Sequence, residues 1–192
     1  MSNIFFMILT AVFAENIIFT RLYGASPFIK GSDRPRKALL VGASVTVAMT
    51  VASVLTYAVY HLVLVPVGLE YLRTVAFVIV IAALAELAGL LLRRFVPAFY
   101  ESLGSGVHLI TVNCAVMGVA LVNIQEQNSF AESVGFGLLS GLGFTVAILV
   151  FAGVREKMRF SDAPKSFRGA PILLVAAALV AMAFSGFYGM KL

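Results

Sequence analysis

The sequence predicts an all-α polytopic membrane protein with six transmembrane helices arranged as two inverted three-helix repeats, with helices 1 and 4 broken. The first supporting observation is composition: 61% of the 192 residues are hydrophobic and 12% are charged, whereas soluble domains are about half apolar and about a quarter charged. The second is a series of six long apolar runs joined by short polar loops. The third is a motif in the second run that recurs, almost one hundred residues later, in the fifth.

Six runs approach the length of about 20 mostly apolar residues that a spanning helix needs. The connections contain no linker or low-complexity tract, so we expect one transmembrane domain over residues 1–192. The first run lacks the basic n-region of a signal peptide, which predicts a retained helix. The predicted spans are Ile4–Leu22, Ala38–His61, Leu72–Leu92, Val107–Val122, Val134–Val154 and Ile172–Met190.

The basic residues predict the orientation of these spans. The loops after spans 1, 3 and 5 hold 11 of the 14 Lys and Arg residues, whereas the opposite loops hold only Arg73. The positive-inside rule therefore makes these three loops cytoplasmic and places both termini on the outer side. The net charge of +5 is explained by topology, so we expect membrane lipid and no nucleic acid among the partners.

A repeated motif indicates two related halves. Gly42–Ala48 in span 2 and Gly141–Ala147 in span 5 both read G-x-x-x-T-V-A, and Asn16–Phe19 aligns with Asn113–Val116 at nearly the same offset. The predicted halves are residues 1–97 and 98–192, the second inverted relative to the first. Inverted repeats place their functional site near the midplane on discontinuous helices. Chance similarity in a chain rich in Gly, Val and Ala is the alternative explanation.

Polar side chains within the apolar runs are candidates for function, because such residues are expensive at membrane depth and often mark ion pathways. Span 1 carries Glu15 and Asn16, span 3 carries Glu86, and span 4 carries Asn113 beside Cys114. Glu15, Asn16, Glu86 and Asn113 are the predicted ion-pathway residues. Glu86 is also close enough to the cytoplasmic end of its span to reach water.

Cys114 is the only cysteine in the chain. A disulfide within the chain is therefore excluded, and so is a metal site built wholly from its own thiolates, since such sites need about four ligands. Two interpretations remain from the residues alone: an inert buried side chain, or one part of a site that other chains complete. The sequence has no nucleotide-binding glycine motif and no Ser/His/Asp set, so we expect no catalytic activity from the chain alone.

Several ordered stretches resemble a known family. They are Leu72–Ala83, Leu109–Leu121, Gly153–Lys157, Ser161–Pro164 and Phe167–Gly169. The resemblance is to the RnfA/NqrE family. It comprises one membrane component of the Rnf complex, an ion-translocating ferredoxin:NAD oxidoreductase, and the related component of the sodium-pumping NADH:quinone reductase. The resemblance covers essentially the whole chain.

This resemblance implies a redox role in a bacterial or archaeal cytoplasmic membrane. Family members pair with a homologous, RnfE-like chain of opposite topology, and assemble with further components similar to RnfB, RnfC, RnfD and RnfG. A [2Fe–2S] cluster lies at the interface of the pair and is held by cysteines of both chains. It relays electrons across the membrane, and the relay is coupled to movement of Na⁺ or H⁺.

By resemblance, Cys114 is the cluster ligand on span 4. The second ligand of the family belongs to a G-x-C-P-F pattern on a broken first helix, which here reads Gly24–Phe28 with Ser26 in place of the cysteine. His108 stands where the family tends to have proline, and imidazole can ligate a [2Fe–2S] iron. On a regular helix, however, His108 is about 9 Å and about 240° from Cys114, so only a broken fourth helix lets both reach one iron.

Three explanations of Ser26 stay open. The cluster is ligated differently, by Ser26, His108 or a partner group; the cluster is absent from a divergent member of the family; or the serine was introduced artificially. The break at Gly24–Pro27 has two interpretations as well, a half-helix that lines a site or an ordinary exit turn. Two other functions also fit the pattern: a stand-alone secondary transporter that uses Glu15, Asn16 and Asn113, and a scaffold that only seats partner subunits.

Overall fold

The computed structural model describes residues 29, 31–33, 35–95, 113–158, 164 and 169–186. These residues form helices and connecting turns, with no strand in the described ranges. The predicted first span lies outside them. The five main helices are α1 (Pro35–Val59), α2 (Arg73–Phe95), α3 (Cys114–Gln125), α4 (Phe130–Met158) and α5 (Ala170–Ser185).

Each of these helices overlaps one predicted span, which confirms the all-helical membrane fold class. Three helical stretches in the described part of the chain are long and apolar enough to cross a membrane: Pro35–Val67, Glu70–Leu91 and Phe130–Met158. The other two, α3 and α5, are shorter apolar helices of 12 and 16 residues. The number of complete spans therefore agrees with six without being settled by the described residues.

The helical path of α1 continues beyond His61, where the sequence predicted the span to end. A π-helical turn, Tyr60–Leu64, follows α1 directly, and one further α-helical turn, Val65–Val67, follows that. Gly68 then stops the helix in the left-handed region at φ 70°, which glycine adopts without the steric cost of a Cβ. Hydropathy cannot predict this change from α-helical to π-helical turns, since both kinds of turn consist mostly of apolar residues.

The most extensive helix contact joins α1 and α4, which run antiparallel. A Cβ added to Gly42 would lie 2.8 Å from Thr145 Oγ1, and one added to Gly141 would lie 2.6 Å from the Thr46 Cα. Farther along, Gly137 approaches Ser53 just as closely. Small residues let two backbones come together in this way, and van der Waals contact over the close approach stabilises membrane helices.

The two threonines of the repeated motif meet at this crossing. Their hydroxyl oxygens are 3.1 Å apart, and each hydroxyl also lies within hydrogen-bonding distance of the carbonyl four residues earlier in its own helix. The glycine of each motif thus faces the threonine of the other. Such a reciprocal contact agrees with a two-fold relation between the motifs. The boundaries at residues 97 and 98 stay a prediction, because the first span is outside the described ranges.

The apolar core lies where α1, α3 and α4 meet. Its largest fully buried members are Met49 on α1, Val116 and Val119 on α3, and Phe144 and Phe151 on α4. A smaller cluster joins α2 to the far end of α3 through Phe77, Ala120 and Ile124. The two clusters bury most of α3, and within it only the end residues Cys114 and Gln125 are exposed.

One end of the α1–α4 pair is joined by Arg155, in the last turn of α4. Its Nη1 donates to the carbonyl oxygen of Ile29 at 2.7 Å and to Ser32 Oγ at 3.0 Å, and its Nη2 pairs with the Asp33 carboxylate. Ser32 is fully buried. The start of α1 and the end of α4, both rich in basic residues, therefore lie at the same end of the molecule, as the predicted topology requires.

Candidate functional site

The site is built on the first turn of α3. Asn113 precedes the helix in an extended conformation, φ −101° and ψ 132°, and its side-chain Oδ1 accepts the Ala115 backbone N–H at 3.2 Å. This is the usual contact of an N-cap residue. The helix α3 thus begins at Cys114 and ends at Gln125, whereas the predicted start of span 4 at Val107 lies outside the described residues.

The late start of α3 sets the depth of Cys114. Twelve helical residues rise about 18 Å, which is little more than half of a hydrocarbon core about 30 Å thick. If Gln125 is placed at one interface, this rise would put Cys114 near the middle of the membrane. A helix that begins inside a bilayer leaves its first backbone N–H groups without helical partners, and such an end attracts negative charge.

Cys114 and its neighbours differ sharply in burial. Ala115 and Val116 are buried in the core, whereas Cys114 is exposed on the chain. Its Sγ lies 3.7 Å from Asn113 Oδ1, a distance that suits a weak S–H···O hydrogen bond. Cys114 is therefore not buried within this chain, contrary to the first of the two interpretations.

Asn113 has the opposite character. The residue is only 4% exposed, and its Nδ2 is a buried donor with no hydrogen-bond partner in the described part of the chain. A buried polar group left in this way costs about 1–3 kcal/mol. The amide cannot be turned over to avoid this, because Nδ2 would then face the Ala115 N–H, donor against donor.

The other predicted site residues are distributed as follows. Glu86 is exposed on α2. Glu15, Asn16, Ser26 and His108 lie outside the described residues. Because Asn113 is extended, no regular helix runs through it toward Cys114. The separation of about 9 Å that a continuous helix imposes on His108 and Cys114 therefore does not apply.

Sequence reasoning missed a buried polar network at the other end of α3. Asn123 Nδ2 donates to Ser53 Oγ and to the Ser133 carbonyl oxygen, both at 3.3 Å, and its Oδ1 accepts from Asn128 Nδ2 at 3.1 Å. Asn123, Ser53 and Ser133 are each at most 3% exposed. The only signal in the sequence was an asparagine near the end of a span, which by itself does not distinguish a buried network from an interfacial residue.

The network is hydrogen-bonded within the chain and joins α1, α3 and α4, whereas the Asn113 Nδ2 has no partner among the described residues. No group of three or more His, Cys, Asp or Glu side chains comes together among the described residues. A metal centre at Cys114 therefore needs ligands from elsewhere in the assembly or from the parts of the chain outside these ranges.

Fold and site together define a class: an all-helical integral membrane protein with one thiol presented near the midplane on the surface of the chain. Comparison with known proteins identifies the family. Residues 4–191 match the family model of the Rnf-Nqr subunit, a membrane protein. The chain belongs to the Rnf-Nqr family, as its resemblance predicted.

Curated relatives match over nearly their full length. The chain is 43% identical over 190 residues to the A component of the Na(+)-translocating ferredoxin:NAD(+) oxidoreductase complex of Acetobacterium woodii, covering 99% of both chains. It is also 43% identical to the A component of the ion-translocating oxidoreductase complex of Syntrophotalea carbinolica, over 99% of this chain and 98% of that one. The protein of the same name from Edwardsiella ictaluri is 37% identical, again over 99% and 98%.

Proposed function

We propose that this chain is an integral membrane component of an Rnf-type ion-translocating oxidoreductase complex and that it helps to carry electrons across the membrane. The names of its relatives describe such complexes, one of them Na⁺-translocating with ferredoxin and NAD⁺ as its redox partners. The observation that carries the proposal is the exposed Cys114 at a helix start near mid-membrane, in a chain with no other cysteine.

The residues at this point fit one part of a [2Fe–2S] site shared between two chains. A thiolate is the usual ligand of such a cluster. Cys114 is exposed, so a second chain can approach it, and the first turn of α3 favours the negative charge of a thiolate-bound cluster. When bound, the cluster would supply a one-electron relay between the two sides of the membrane.

The partner proposed for this site is a homologous, RnfE-like chain of opposite topology. At the α1–α4 crossing, the two G-x-x-x-T-V-A motifs of one chain contact each other reciprocally, glycine against threonine. A second, inverted copy of the fold would repeat the arrangement between chains and bring its own cysteine to Cys114. The complex would include the other components expected of an Rnf assembly, similar to RnfB, RnfC, RnfD and RnfG.

The proposed orientation has both termini outside and the basic loops in the cytoplasm of a bacterial or archaeal cell. The basic ends of α1 and α4 support it, because they lie together at one end of the molecule. The coupling ion is Na⁺ or H⁺. Glu15, Asn16, Glu86 and Asn113 stay the candidates for its path, and of these Glu86 is exposed on α2 and able to face a neighbouring chain of the complex.

Electron paramagnetic resonance (EPR) spectroscopy of the purified, reduced complex tests the proposal. The expected result is a [2Fe–2S] signal in the wild-type complex and its loss in Cys114→Ala with the complex still assembled. Gln125→Ala, a change of an exposed residue at the opposite end of α3, is the matched control and retains the signal. An intact signal in Cys114→Ala would overturn the assignment of this ligand.

Ser26 receives its own test, because it stands at the position of the second family cysteine. If Ser26 ligates iron, Ser26→Cys keeps the cluster and changes its g values, since a thiolate replaces an alkoxide. If His108 ligates instead, the spectrum of Ser26→Cys stays that of the wild type and the spectrum of His108→Ala changes or is lost. If a partner group ligates, both variants keep the wild-type spectrum. A wild-type complex that contains neither iron nor signal would contradict the redox role altogether.

A further inference from the structure

We propose that the Asn113 side-chain amide donates an N–H···S hydrogen bond to the iron–sulfur cluster bound at Cys114 and thereby raises its reduction potential. The inference rests on the proposed function, because it needs the cluster at that cysteine. It assigns to Asn113 a role beyond capping α3.

The two polar atoms of the Asn113 amide, Oδ1 and Nδ2, differ in their hydrogen bonding. Its Oδ1 is engaged, accepting from the Ala115 N–H at 3.2 Å and lying 3.7 Å from Cys114 Sγ. Its Nδ2 is buried and has no partner among the described residues. Serine, threonine and aspartate cap helices as well as asparagine does, so capping gives no reason to bury an additional amide donor here.

The unpaired donor is a close neighbour of the thiol. Nδ2 belongs to the same planar amide as Oδ1, so it lies within about 6 Å of Cys114 Sγ. This is close enough to serve a sulfur atom of a cluster bound at that cysteine. The unused half of the amide is a donor and suits an electron-rich sulfur acceptor rather than a cation.

Burial strengthens the effect of such a bond. Asn113 is 4% exposed, so water does not compete for Nδ2, and electrostatic interactions are stronger in the low dielectric of the interior. Reduction adds one electron to the cluster, which makes its sulfur atoms better acceptors. A donor that binds the reduced form more tightly raises the reduction potential, and hydrogen bonds to the sulfurs are among the factors that set the potentials of these clusters.

Two variants of Asn113 separate donation from capping. Asn113→Ser keeps a side-chain oxygen that can cap α3 and removes the amide donor. Asn113→Asp keeps the shape and the capping oxygen, removes the donor and adds negative charge. Both are studied in the intact complex by redox titration of the cluster signal, with Gln125→Ala as the control.

The expected result is a more negative midpoint potential in both variants, with the larger shift in Asn113→Asp. For Asn113→Ser the ratio of reduced to oxidised cluster at a fixed potential should fall about threefold to tenfold, the size of one net hydrogen bond. A tenfold change corresponds to about 59 mV for a one-electron couple. The control should titrate as the wild type does.

The outcomes distinguish the two proposals. A wild-type complex without a cluster signal contradicts the proposed function itself. A normal cluster whose midpoint potential is unchanged in Asn113→Ser overturns the role of Asn113 and leaves the proposed function standing. If neither variant assembles a cluster, pulsed EPR of wild-type complex with ¹⁵N in the asparagine side chains decides: a nitrogen coupling to the cluster is expected, and its absence overturns the inference.

Discussion

The crossing of α1 and α4 and the start of α3 both contain polar side chains inside an apolar protein. They differ in whether all of these side chains find hydrogen-bonding partners within the chain. At the crossing, Thr46 and Thr145 have hydrogen-bonding partners within the chain, and the glycines leave no room for anything else. At the start of α3, the thiol of Cys114 is exposed and the Nδ2 of Asn113 has no partner in the described ranges.

This difference separates scaffold from site. A polar group within a membrane is stable when its hydrogen bonds are made inside the protein. Where they are not made, the cost is tolerated because something binds there. The crossing and the Asn123 network belong to the first kind, and the Asn113 Nδ2, which has no partner among the described residues, is our candidate for the second. Changes to the scaffold should therefore affect the stability of the fold, whereas changes to the site should affect cofactor content and redox properties.

The largest expected effect comes from closing the space at the crossing. In Gly141→Leu the new side chain would begin 2.6 Å from the Thr46 Cα, and backbone cannot move aside as a flexible side chain can. Even Gly141→Ala overpacks the contact and should cost about 1–3 kcal/mol. We expect little folded protein from the leucine variant and a lower thermal unfolding midpoint in detergent for the alanine variant.

Gly153→Ala is the control on the same helix. A Cβ there meets nothing within 4 Å, and replacing a helical glycine by alanine stabilises a helix by about 0.5–1 kcal/mol. The unfolding midpoint of this variant should stay the same or rise. If Gly141→Ala were as stable as Gly153→Ala, the close approach of α1 and α4 would be contradicted.

An intermediate effect is expected from Asn123→Ala. The change removes the partner of Asn128 Nδ2 and one partner of Ser53, both inside the helix bundle, and should destabilise the protein by about 1–3 kcal/mol. Thermal unfolding of the purified protein measures this. Gln125→Ala removes an exposed amide only two residues away and should change little. Equal midpoints for the two variants would show that the network contributes nothing to stability.

A smaller effect is expected from Arg155→Gln. Glutamine cannot reproduce the contacts of the guanidinium with Ile29, Ser32 and Asp33. The arginine side chain is 20% exposed and that of Asp33 43% exposed, so solvent screening limits the loss to about 1–2 kcal/mol.

Tryptic cleavage of the basic loop measures this loss. The loop contains Lys30, Arg34, Arg36 and Lys37, and it should be cut faster in Arg155→Gln than in the wild type. Lys157→Gln changes an exposed cation in the same last turn and should leave the cleavage rate as it is. A rate equally unaffected in both variants would mean that Arg155 does not hold the start of α1.

The sequence was sufficient to predict the helices of spans 2 to 6 and the recurrence of the G-x-x-x-T-V-A motif, because both depend on composition and spacing. Four glycines in span 5, Gly135, Gly137, Gly141 and Gly143, favour close helix packing from the sequence alone. The close approach is found at Gly137 and Gly141, whereas a Cβ at Gly135 meets nothing within 4 Å. Spacing shows that glycines share a stretch of helix, but only the crossing of the two axes decides which of them face the partner.

The start of α3 illustrates what hydropathy cannot reveal. The apolar run predicted a span from Val107 with a broken helix, but hydropathy could not place the helix start, which the capping contact of Asn113 fixes at Cys114. The same holds for Asn123, whose burial depends on Ser53, 70 positions away in the chain. Hydrogen bonds between distant residues become visible only once the helices are packed.

The central claim is that Cys114 is a ligand in a site that the rest of the complex completes. Because it is the only cysteine of the chain, labelling by a membrane-permeant maleimide, read by mass spectrometry of this protein, reports on that thiol alone. We predict that Cys114 is labelled when the chain is purified by itself, protected in the intact complex, and labelled again after iron is removed by a chelator. Full labelling in an intact complex that retains its iron would contradict the claim.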